Sequence, residues 1–391
     1  GARALSAQNA GADAYNTAAG YYAGYSITTA LETTLVGGWA GYSLTTGSGN
    51  TAIGYQALSS EDTGSKNTAI GNSALKDLNT TDGNGCNVAV GFEAGKAMTS
   101  GIQNTLIGSY AGDAINTGAE NTAVGYAALS SEDNHGTNTA IGNNTLANQN
   151  AGASAYNTAV GYFAGNDITS GVKNVLMGGL AGDALTTGSD NVAIGHSALT
   201  GEDTGGRNVA IGKGTLSAQN YDGSAYNIAI GYHAGNDITT GINNILIGGL
   251  AGDAMTTAFR NVGIGTEALT SETDGERNIA IGYGVMQSAN GATYNTVIGD
   301  LAGAAITSGQ RNTLIGSEAG DALTTGSNNI IMGYAAAASA VDVSNEITLG
   351  NANITAFRCA DQSIAALSDG RDKTNVKDSS FGLDFIDSVR P

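Results

Sequence analysis

At 391 residues the chain is long enough for two or three domains, but 60 glycines, one proline and 13% charged residues favour close-packed backbone over a bulky globular core. Glycine does not recur at every third position and the single proline is Pro391, so a collagen helix is excluded. A formal net charge of −19 repels phosphate backbones and anionic lipid, which argues against nucleic acid or a membrane surface as a partner.

Residues 1–15 read as the end of a preceding repeat, and because the chain starts inside a repeat, earlier sequence is expected. Residues 16–340 hold nineteen copies of one unit. The unit reads Asn, then Thr, Val or Ile, then Ala or Leu, then Ile, Val or Met, then Gly, two variable residues, Ala, and Gly or Leu. About eight turn-forming residues follow. Position one is Asn from Asn16 to Asn329 except at Thr33, and position five is Gly in every copy from Gly20 to Gly333. The spacing is 17 residues, with steps of 20, 19 and 19 before Asn87, Asn157 and Asn227.

A second period lies above the first. Position nine runs Gly, Gly, Leu, Leu, as in Gly95, Gly112, Leu129 and Leu146, and position three is Leu at Leu106, Leu176, Leu246 and Leu314. Four units therefore make a superunit of about 70 residues. A tyrosine precedes the first unit of a superunit at Tyr15, Tyr156, Tyr226 and Tyr294, and Cys86 holds the same slot.

This pattern predicts an all-β chain, a parallel β-solenoid or β-roll of about nineteen coils of 17 residues. A short β-prone run closed by Gly forms the strand, and the Thr-Ser-Gly and Thr-Thr-Gly segments supply the turns. One coil cannot bury its own apolar side chains, whereas stacked coils can. Stacking also places Asn over Asn, which predicts an amide ladder along one corner. At about 4.8 Å per coil the stack would be roughly 90 Å long. Positions two and four share one strand face and position three takes the other, and both faces are apolar. That is the signature of a strand covered on both sides. A single thin roll has only one inside, so the second face is expected to pack on neighbouring chains; a homotrimer is the favoured arrangement, while the periodicity itself shows only that something covers that face.

The repeat resembles the head repeats of trimeric autotransporter adhesins and repeats of bacteriophage tail fibres. The last part of the chain separates the two. Residues 344–359, SNEITLGNANITAFRC, resemble the stalk before the intramolecular chaperone of phage tail fibres and endosialidase tailspikes. Residues 368–391, SDGRDKTNVKDSSFGLDFIDSVRP, resemble the opening of that chaperone, including its amphipathic helix and Arg-Pro. The resemblance implies a shaft at 16–340, a short triple-stranded β stalk at 341–367 and the start of the chaperone, with a C-terminal helical segment, at 368–391. It also implies self-cleavage after Ser368, with Ser368 as nucleophile, Lys373 as base and Asp369 opening the released fragment. A desolvated lysine can take a serine proton, so the chemistry is reasonable. The implied setting is a virion tail fibre, exposed as an extracellular surface structure. Its partners would be two further copies of the chain, other tail proteins and a host cell-surface glycan or protein receptor. Membrane insertion and cofactors are not expected. The alternative reading is a bacterial surface adhesin of the autotransporter kind.

Other residues are expected to be structural. Glu61-Asp62, Glu132-Asp133 and Glu202-Asp203 recur every 70–71 residues and read as solvated loop charges rather than hydrolytic or Ca²⁺-binding pairs. His196 stands where Tyr55 and Tyr126 stand and reads as a surface side chain; no metal is assigned to it, His135 or His233. Tyr21, Tyr55, Tyr126, Tyr162, Tyr232 and Tyr283 read as packing along the stack in preference to a carbohydrate-contacting strip, and Cys86 likewise as packing. Asp113, Asp183, Asp253 and Asp321 read as turn residues that bond nearby backbone. Cys86 and Cys359 are too far apart in sequence to define a disulfide framework.

Overall fold

The computed structural model describes residues 1–356, apart from 12 and 82, and residue 358. The chain divides into two units, Gly1–Asn351 and Ala352–Pro391. Only 352–356 and 358 of the second unit are among the described residues, so the chaperone segment, its helix and Ser368, Asp369 and Lys373 lie outside them.

The first unit is a parallel β-solenoid. Each coil contributes one three-residue strand, from β1 (Thr17–Ala19) to β20 (Ile347–Leu349), and the twenty strands form a single sheet. Neighbours pair in parallel with like positions opposed: Thr51 faces Thr68, Ala52 faces Ala69 and Ile53 faces Ile70. No helix occurs among the described residues. The ladder continues past residue 340. Ile347–Leu349 pairs with Ile330–Met332, and Glu346 takes the corner position, its N–H donating to Asn329 Oδ1 at 2.9 Å. The residues expected to begin a stalk thus add a twentieth coil.

The corner Asn closes each coil and joins it to the next. In the coil that begins at Asn174, Nδ2 donates to the Gly188 carbonyl of the same coil at 2.9 Å, while Oδ1 accepts the Asn191 N–H at 3.0 Å. Both Asn174 and Asn191 are fully buried, so these bonds satisfy groups that water cannot reach. At Thr33 the chain of bonds is interrupted. Thr33 donates its N–H to Asn16 Oδ1 at 2.9 Å but offers no amide oxygen to the Asn50 N–H.

Position five must be Gly for two reasons. Gly195 has φ +136°, a region that L side chains rarely adopt, and a Cβ there would sit 2.4 Å from the Gly212 carbonyl oxygen one coil on.

Position three points inward and is buried from Leu35 to Ile331, and the four-coil period is a volume exchange around it. Leu176 fills the space left by glycine at position nine of its own coil and of the one before. A Cβ on Gly165 would lie 2.6 Å from Leu176 Cδ1, and one on Gly182 would lie 2.9 Å from Cδ2. Where position nine becomes Leu, at Leu199 and Leu216, position three reverts to Ala, at Ala193 and Ala210. Leucine from either wall fills the same interior layer, which keeps the density constant without voids.

Candidate functional site

With position three inside, positions two and four point outward along all twenty strands. They form a continuous ribbon, apolar at position four in every strand and Thr, Val or Ile at position two: Val175 opposes Val192 and Met177 opposes Ile194 across one pair of coils. The ribbon is open in the single chain. Ile107 is 39% exposed and Met177 43%. A ribbon this long, half-buried to exposed and apolar at every position four, is the kind of surface that marks an interaction site.

Tyrosines at position six border the ribbon beyond the glycine. Tyr21, Tyr55, Tyr126, Tyr162, Tyr232 and Tyr283 are all at least half exposed, so the packing expected for them within the chain is only partial. Tyr162 leans on Phe163 with ring centroids 4.5 Å apart, and Tyr126 meets Tyr110 edge-on at 5.8 Å. Packing fails for Cys86 too, which is exposed as a free thiol. His196, at position six of its coil, is a surface side chain as expected, with Nδ1 3.0 Å from Ser197 Oγ.

The paired carboxylates differ from expectation. Glu61, Glu132 and Glu202 are fully buried, not solvated, and Glu272, which the paired pattern missed because Thr273 follows it, belongs with them. All four stand at position twelve, where other coils bury Ile27, Met98 or Leu185. The burial is tolerated because the carboxylate caps backbone N–H groups of the turn. Glu61 accepts Gly64 N–H at 2.7 Å and Thr80 Oγ1 at 3.0 Å; Glu202 accepts Gly205 N–H at 2.8 Å. Desolvation raises the pKa of all four, that of Glu132 to about 7, while the backbone bonds oppose the shift. The partner aspartates stay nearer the surface. Asp62 accepts the Thr45 hydroxyl from the preceding coil, and Asp203 that of Thr186. Glu and Asp therefore turn apart, and the pair does not present two carboxylates to one substrate or ion.

Histidine enters this arrangement once. His135 donates its backbone N–H to Glu132 at 3.2 Å, and its Nδ1 lies 3.8 Å from the same oxygen. The position-ten aspartates also depart from expectation. Asp183 accepts the Thr200 hydroxyl, and Asp253 accepts that of Thr270 at 2.5 Å, so they tie coil to coil instead of bonding their own turn. Asp113 Oδ1 is buried without a donor, and burial holds its pKa above the usual range.

One aromatic cluster has no counterpart elsewhere in the stack. Tyr22, Tyr25, Trp39 and Tyr42 pack across the first two coils, with Tyr25 and Tyr42 stacked at 5.4 Å and Trp39 4.7 Å from Tyr42. Sequence reading passed over it because positions seven and ten are variable. Tyr22 and Trp39 both hold φ near +60°, which aims the Trp39 N–H at the Tyr21 carbonyl of the coil before, 2.9 Å away.

No protein-family model matches the chain, and no curated protein matches it either.

Proposed function

We propose that this chain is the shaft of a homotrimeric phage tail fibre or tailspike, a structural element that reaches from the virion to a host-surface glycan or protein receptor. The observation that carries the reading is the outward ribbon: an in-register face along twenty strands, apolar at every position four, that water would otherwise cover. Burying such a face between copies gains roughly 25 cal/mol per Å² of apolar surface, repeated at every coil. A stiff trimer would then add weak receptor contacts into avidity. The assignment to a phage rests on the resemblance of residues 344–391, which also supplies the proposed chaperone and cleavage after Ser368 by Ser368 and Lys373. The repeat alone supports the autotransporter-type adhesin, and sequence beyond Pro391 separates the two: a chaperone in one case, a membrane barrel in the other.

Light scattering on the purified chain tests the central claim. Three copies are expected, and a stable monomer would sink the proposal. I107D/M177D should abolish association while leaving the β-sheet circular dichroism intact, because neither side chain reaches the interior. For processing, intact-mass analysis should find a fragment beginning at Asp369 in the wild type and none in S368A.

A further inference from the structure

We infer that the two edges of the outward ribbon meet between copies of this chain, coil against coil at equal height, and that the residues on those edges set the register of the assembly.

The geometry leads there directly. Consider copies arranged as a ring about an axis parallel to the stack, each turning its ribbon inward. All strands then run the same way round the ring. The edge before the strand in one copy must therefore face the edge after the strand in the next, which is a heterologous contact that closes. Rotation without translation keeps each coil level with its equivalents. The residue just before the corner Asn in one copy is thus brought to residues six and seven of the same coil in its neighbour.

In several coils the residues on the two edges are matched, although within one chain the strand separates them. Where the leading edge carries an exposed tyrosine, the trailing edge usually carries an exposed aromatic in the same coil. Tyr156 is 58% exposed and Tyr162 60%; Tyr226 is 51% and Tyr232 55%; Tyr15 and Tyr21 repeat the pattern. The one Cys on the leading edge, Cys86, shares its coil with exposed Phe92. Charges match as well. Arg260 shares a coil with Glu267, and Arg311 with Glu318. Arg260 and Arg311 stack on Phe259 and Tyr294 at 5.7 and 5.9 Å but meet no carboxylate, and neither Glu267 nor Glu318 has a side-chain partner among the described residues. Only Arg207 and Lys213 are like-charged in one coil, and Arg207 already has Asp190 at 3.9 Å. These opposite charges, at matching heights on opposite edges, make no ion pair within the single chain. Between chains they penalise any slipped register, which is where surface charge contributes most.

The inference rests on the trimer reading and adds the residues that align it. Charge reversal tests it on the full chain. R311E and E318R should each weaken the trimer in a dilution series by about tenfold, and R311E/E318R should return it to within about threefold of wild type. Rescue is possible only if the two positions meet between copies. In a second test, R311C/E318C should form disulfide-linked trimers on oxidation. A wild-type monomer would sink both the trimer and the pairing. A wild-type trimer in which the double reversal fails to rescue, or in which the cysteines do not cross-link, overturns the edge pairing alone.

Discussion

Glu272 Oε1 accepts the backbone N–H of Gly291 at 2.7 Å, so a buried carboxylate in one coil holds the turn of the next. The same oxygen accepts Gly275 N–H at 2.7 Å, and Oε2 accepts Ala292 N–H at 3.2 Å. One such glutamate per superunit stands in the coil before the one that departs most from the standard turn, and at 61, 132 and 202 that next coil is the lengthened one. A side chain that gathers several N–H groups replaces the apolar residue that elsewhere fills the layer.

These glutamates give the solenoid a pH dependence. Burial raises Glu132 from the ordinary carboxylate range to about 7. Between those limits the folded chain binds more protons than the unfolded one, so stability falls as pH rises and is greatest on the acid side. Asp133 and His135 are the titratable neighbours, the latter at 3.8 Å. E132Q should flatten this slope. Its melting temperature is expected to gain a few degrees on wild type near pH 8 and to lose that advantage near pH 5. Parallel melting curves at both values would refute the assignment.

The corner amides predict a local defect. N174A leaves the Gly188 carbonyl and the Asn191 N–H buried without their partners, at a cost of about 2–4 kcal/mol. Each coil touches only its neighbours, so the loss should be confined. Hydrogen exchange is expected to accelerate at Asn191 and in the two adjoining coils, with distant coils unchanged; uniform acceleration would count against a ladder of local bonds.

Thr33 offers the converse experiment. T33N restores an amide that can accept the Asn50 N–H, and a gain of roughly 1 kcal/mol is expected in denaturant unfolding. A loss would mean that the fully buried site at residue 33 is shaped for threonine.

Position five tolerates no side chain. In G195A the φ of +136° and the 2.4 Å approach to Gly212 O act together, and the cost should be about 3 kcal/mol or more. The soluble yield of G195A is expected to drop sharply, whereas G249A, where a Cβ meets nothing within 4 Å, should behave as wild type.

The aromatic cluster has its own reporter, since Trp39 is the only tryptophan. Y42A removes a ring 4.7 Å from the indole and one face of the Tyr25 stack. Trp39 emission should shift to the red and stability fall by about 1 kcal/mol. An unchanged spectrum would show that the cluster does not shield the indole.

Much of this architecture is legible in one dimension because a solenoid repeats its environment. Asn at position one, Gly at position five and alternating apolar residues recur whenever the same contact recurs, so periodicity alone yields the coil, its parallel register and the amide corner. The same logic misled at Glu61, Glu132 and Glu202. A recurring charged pair reads as a solvated loop, and nothing local shows that the first carboxylate has turned inward to cap N–H groups up to twenty residues away. Glu272 was missed for the same reason. Only tertiary structure decided which strand face is inside. Both faces lean apolar in sequence, and the choice falls to size at position three: it is mostly alanine or leucine, which fit a narrow interior, while positions two and four, mostly Thr, Val and Ile, stay on the outer face.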